Sequence, residues 1–152
     1  MVQTTTAPAK ASLYNTDYYA WIEQQVALLQ RGQTDAIDWV NLAEEVADMG
    51  RNQKQAVTSN LVVVLTHLLK YHYQPEQRSN NWLGSIREHR RRLRDAFEDS
   101  PSLRRHAQAV FIKSYHDARE QAADETGLPL NAFPENCPYG LEQALDPAFL
   151  PG

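Results

Sequence analysis

Cysteine is nearly missing from this chain of 152 residues, with a single residue, Cys137, so no internal disulfide can form and nothing suggests a secreted, cross-linked scaffold. Glycine and proline are also sparse, at six and eight residues, which excludes collagen-like and low-complexity chains. No long hydrophobic run exists. The densest, Leu61 to Leu65, falls far short of the ~18–20 residues of a membrane span. The stretch from Met1 to Ser12 lacks the apolar centre of a signal peptide. An excess of positive charge is lacking too: the net charge is −4, which argues against a generally basic coat for nucleic acid or anionic lipid. What remains is a globular composition, 42% apolar and 22% charged, of one-domain length. These features point to a bacterial-type cytoplasmic protein.

Residues 1–12 carry no apolar periodicity and read as a flexible arm, leaving 13–152 as a single helical domain. A first helix is expected from about Asp17, capped by Asn15 or Thr16 and closed by Gly32 in the left-handed conformation. A second follows Thr34 and Asp35, with Asp35 and Asp38 in its first turn. It runs to about Tyr73, before Gln74-Pro75. Leu42, Val46, Met49, Val57, Val64 and Leu68 share one sector at ~100° per residue, a phase that survives Gly50. One long helix, bent or weakened at Gly50, is therefore expected over a hairpin. A third helix, capped by Asn80 or Asn81, carries Trp82, Ile86, Leu93 and Phe97 on one stripe. Ser100-Pro101 should open a fourth, lined by Ala107, Val110, Ser114 and Ala118 and closed by Gly127. A short helix between Pro138 and Leu145 sits in a proline-punctuated tail. No strand alternation appears. The expected fold is all-α: an antiparallel bundle of four main helices with a short C-terminal helix.

Three segments and a closing one then take on a joint meaning. NLAEEVADMGR (Asn41–Arg51), HLLKYHYQPEQRSNNWLGSIREHRRRL (His67–Leu93), SPSLR from Ser100 and FPENCPYGLEQALD (Phe133–Asp146) together resemble a family of small bacterial proteins, domain-of-unknown-function family 29. The resemblance implies an all-α fold from roughly Tyr14 to Pro151. It implies no activity, cofactor or catalytic residue.

Three constellations could carry chemistry. Glu44, Glu45 and Asp48 stand at helical i,i+3 and i,i+4 spacing, so their carboxylates can converge to bind a divalent metal or to share a proton. The plainer reading pairs Glu45, at the core edge, with an arginine of the third helix. His67 lies in the apolar sector in line with Gln53 and Asn60, and this polar line needs specified partners. On a straight helix, Glu45 and His67 stand about 33 Å apart, too far to share a site. Spacings of known metal motifs are missing, and no cofactor is predicted. The third constellation is Arg87, Arg90, Arg91, Arg92 and Arg94, with Arg78, Arg104 and Arg105 nearby. Between residues 17 and 48, by contrast, seven acids face one arginine. Mutual neutralisation of the two segments is the simplest account. An exposed face of Arg87, Arg91 and Arg94 would instead bind nucleic acid.

With no complete catalytic set, the leading expectation is a non-enzymatic helical module that binds another protein or itself, with no membrane contact. The first alternative is a metal-dependent hydrolase or nuclease. There Glu44, Glu45 and Asp48 serve as ligands, Glu45, Asp48 and His67 as acid/base groups, and Lys70 or Arg87 would steady phosphate. The second alternative is nucleic-acid binding through the arginine-rich helix.

Overall fold

A computed structural model describes residues 12–152; of the expected arm, residues 1–11 lie outside the described residues. The described chain is all-α and without strands. Its helices are α1 (Leu13–Thr16), α2 (Tyr18–Arg31), α3 (Trp39–Tyr73), α4 (Asn80–Asp99), α5 (Leu103–Thr126) and α6 (Leu141–Leu145). Backbone contacts cluster the stretch read above as one domain into two compact units, one ending at Gly50 and one starting at Arg51.

The first unit is built on caps. Asp17, not Asn15 or Thr16, caps α2: its carboxylate accepts the Ala20 N–H at 3.1 Å, and the single turn of α1 precedes it. Gly32 ends α2 at φ 67°, a conformation that only glycine takes without strain. Asp38 does not sit in the first turn of the next helix but stands before it. Its carboxylate accepts the Asn41 N–H at 3.4 Å, the Asn41 side chain at 2.8 Å and the Trp21 indole at 3.1 Å. Those bonds hold its pKa below the usual carboxylate range. Asp35 lies in a short 3-10 turn, Thr34–Ala36. Few large side chains are buried here: Trp21 and Ile37 are, while Tyr18, Tyr19, Val26, Leu29, Trp39, Val40, Val46 and Met49 stay exposed.

α3 passes through Gly50 as one helix of 35 residues. A glycine costs about 1 kcal/mol in a helix interior, a penalty that thirty-four other residues outweigh. Of the expected apolar sector, Val57, Val64 and Leu68 are buried, whereas Val46 and Met49 are not.

The second unit holds the main core. Val57, Leu61, Val64, Leu65, Leu68 and Leu69 of α3 pack with Ile86 and Leu93 of α4 and with Ala107, Phe111, Tyr115, Ala118 and Ala122 of α5. Of the small residues expected on the inner face of α5, Ala107, Ser114 and Ala118 are buried and Val110 is partly so, while Ala122, not among them, is buried as well. α4 is capped one residue earlier than expected, by Ser79, whose hydroxyl accepts the Trp82 N–H at 3.3 Å. α5 begins after a turn at Pro101-Ser102 and ends at Gly127, φ 72°. The tail folds back onto the core: the Tyr115 hydroxyl donates to the Pro134 carbonyl, and Arg119 donates to Phe133 at 3.1 Å. α6 is shorter than the segment expected between Pro138 and Leu145, starting only at Leu141.

Candidate functional site

The three constellations are best judged by what their side chains touch. Glu45 is taken up by tyrosines of its own unit, not by the third-helix arginine that the charge pattern suggested. The Tyr14 hydroxyl donates to one carboxylate oxygen at 2.5 Å and the Tyr18 hydroxyl to the other at 2.6 Å. Both rings also pack on Trp21, with centroids 4.8 and 5.9 Å away. Hydrogen bonding to the carboxylate pushes the Tyr14 hydroxyl up to about 12 and raises Tyr18 as well. Glu44 is exposed and Asp48 partly so. Among the described residues, no three His, Cys, Asp or Glu side chains gather closely enough to hold a metal ion.

His67 is half-buried, and its Nδ1 donates to the Val63 carbonyl one turn back at 2.9 Å. Burial lowers its pKa below the ordinary imidazole value. The expected polar line through the core is not built. Gln53 is exposed, and Asn60 donates to the Ala56 carbonyl of its own helix at 2.8 Å. The helix itself supplies these partners, so none is needed from a neighbour. Lys70 pairs with Glu125 at 2.9 Å and lies over the Trp82 ring. Cys137 is half-buried, and its thiol is raised by burial, which leaves little thiolate at neutral pH.

The arginines behave differently. Leu83, Ile86, Arg87, Arg90, Arg91, Arg94, Phe97 and Glu98 recur at three- and four-residue steps, so α4 turns one face to a groove of about 920 Å³. The opposite wall is Pro101 and Arg104 at the start of α5, with Glu142, Leu145, Asp146, Pro147 and Leu150 of the tail. Apolar and charged side chains thus line it together. The three arginines singled out from sequence, Arg87, Arg91 and Arg94, all line it.

Each guanidinium has a different commitment. Arg90 is only 6% exposed and donates to the Ala144 and Gln143 carbonyls at 2.8 and 3.1 Å. It satisfies the free carbonyls at the end of α6, where a cation also suits the helix dipole. Arg104 pairs with Glu142 and lies over the Phe97 ring. Arg91 is held by Glu88 at 2.7 Å and Asp95 at 3.1 Å, and Arg94 approaches Asp95 at 3.7 Å. Arg92 turns to Glu88 at 3.0 Å, and the two arginines keep the Glu88 carboxyl below its ordinary pKa. Acids of α4 itself thus neutralise much of its charge, a role that sequence reasoning gave to residues 17–48. Arg87 is exposed and has no ion pair among the described residues.

Sequence reasoning missed two site features. The burial of Arg90 was signalled by its place on the Ile86–Leu93 stripe, while nothing local signalled that the tail would form the other wall of the groove. Among the described residues, no helix is long and apolar enough to cross a membrane. No curated protein and no solved structure matches the chain. A family model described as a domain of unknown function, DUF29, does match, over residues 13–150, and the chain belongs to that family.

Proposed function

We propose that this chain is a non-enzymatic helical binding module of the bacterial cytoplasm, and that it docks an acidic, partly apolar segment of another protein. The observation that carries this reading is the groove on α4, lined by Leu83, Ile86, Phe97, Leu145 and Leu150 together with Arg87, Arg91 and Arg94. Apolar area supplies affinity, and planar guanidiniums along one edge select carboxylates. Arg87, without an ion pair among the described residues, has its donors available.

The test is fluorescence anisotropy with a labelled amphipathic peptide of Glu and Leu. Binding should weaken at least about tenfold in Arg87→Glu and again in the double variant with Arg94→Glu. Equal binding by wild type and double variant would reject the groove. Nucleic acid is the second reading, because the same three arginines share one face. A labelled oligonucleotide that outcompetes the peptide, with affinity falling steeply with salt, would favour it. The metal-dependent hydrolase reading on Glu44, Glu45, Asp48 and His67 ranks below both, since Glu45 already accepts two tyrosine hydroxyls.

A further inference from the structure

The first three turns of α3 carry a strip that the described residues of their own unit leave largely exposed. Trp39, Ala43, Val46 and Gly50 recur at steps of four, three and four, which places them in one line along the helix. Trp39 is 55% exposed and Val46 58%, and Ala43 and Gly50 are exposed as well. Val40 at 81% and Met49 at 66% widen the strip on either side. The acids of the same stretch avoid it. By helical period Glu44, Glu45 and Asp48 fall on the opposite half, where Glu45 meets Tyr14 and Tyr18. A segment with seven acids against one arginine thus has an uncharged seam.

We infer that two copies of this chain pair through this strip, antiparallel about a two-fold axis. Size argues for that occupant and that direction. The strip alternates large and small along its length. In an antiparallel pair centred between Glu44 and Glu45, Trp39 of one copy faces Gly50 of its partner, and Ala43 faces Val46. Each bulky side chain then meets a small one, which lets the helices approach closely. A Cβ built at Gly50 would meet nothing within 4 Å, so the space the indole needs is open. A parallel pair would set indole against indole at one end and leave a gap at the other. Charge agrees. A foreign basic helix would be drawn to the acidic half, whereas the neutral seam admits a second copy without like-charge contact. A self-complementary patch on a two-fold axis closes after two chains and leaves no open end for a fibre.

The test uses the full chain in two measurements. Sedimentation equilibrium from micromolar to sub-millimolar concentration should show monomer and dimer, and Val46→Glu should weaken dimerisation at least about tenfold with an unchanged helical circular dichroism spectrum. In a Cys137→Ser background, mixing Ala43→Cys and Val46→Cys chains should give the mixed disulfide in preference to either homodimer. The inference is overturned by a monomer at every concentration, by a dimer indifferent to Val46→Glu, or by homodimeric Ala43→Cys disulfides, which would report a parallel pair. These outcomes leave the groove untouched, because no groove residue is altered.

Discussion

A guanidinium almost removed from water is costly unless its N–H groups find acceptors, and Arg90 finds two carbonyls at the end of α6. Arg90→Met should therefore destabilise the protein by about 2–4 kcal/mol in chemical denaturation, since the buried Ala144 carbonyl and the part-buried Gln143 carbonyl also lose their donor. Arg90→Lys should recover only part, because an ammonium cannot reproduce the planar fork. Ser114 is the opposite case. Its hydroxyl is buried without a hydrogen-bond partner among the described residues, so Ser114→Ala should raise stability by about 1 kcal/mol. Tyr14 gives a spectroscopic prediction. Its hydroxyl, raised to about 12 from 10.0, stabilises the fold below pH 10, and that contribution is lost as pH climbs towards 12. Near-ultraviolet titration should show a late-ionising tyrosine that returns towards 10 in Glu45→Gln. None of these partnerships was legible from sequence: Arg90, Tyr14 and Glu45 find partners by tertiary contact, where spacing along the chain is silent.

At the level of elements the reading was better, because helix periods and stop signals are local. Gly32 and Gly127 closed their helices where expected, both at positive φ. The continuity of α3 was legible from the phase of its apolar residues. Its burial was not: the same phase contains exposed Met49 and buried Val57, and only packing partners tell them apart. The arginine face of α4 was legible as a face, whereas the pairing of its arginines with acids of α4 itself was not drawn from the sequence. Glu88 and Asp95 lie within about one turn of Arg91, at the i,i+3 and i,i+4 spacing where helix side chains meet. Gly50→Ala makes an element-scale test. The exposed helix interior should gain about 1 kcal/mol in thermal unfolding, since the new methyl meets nothing. The same change should weaken self-association by narrowing the place reserved for the partner's indole.

Across the whole molecule, hydrophobic burial is uneven. Residues 57–149 contain the continuous core, while the unit before Gly50 buries little beyond Trp21 and Ile37. Amide hydrogen exchange should accordingly be faster in α2 than in the middle of α5, a difference that equal protection would refute. A pH series offers a second molecular test. The folded pKa of His67 lies below 6.5, so its contribution to stability is full above 6.5 and is lost as pH falls towards the folded value. His67→Gln should flatten that part of the acid limb. Five residues cannot sustain a helix in water, so α6 depends on tertiary contacts: buried Ala144, the Arg90 clamp at its end and the Arg104 pair on its flank. The distal bank of the docking cleft is thus a peelable flap, and a protease that nicks near Gly140 would erase the cleft while sparing the three long helices beneath it.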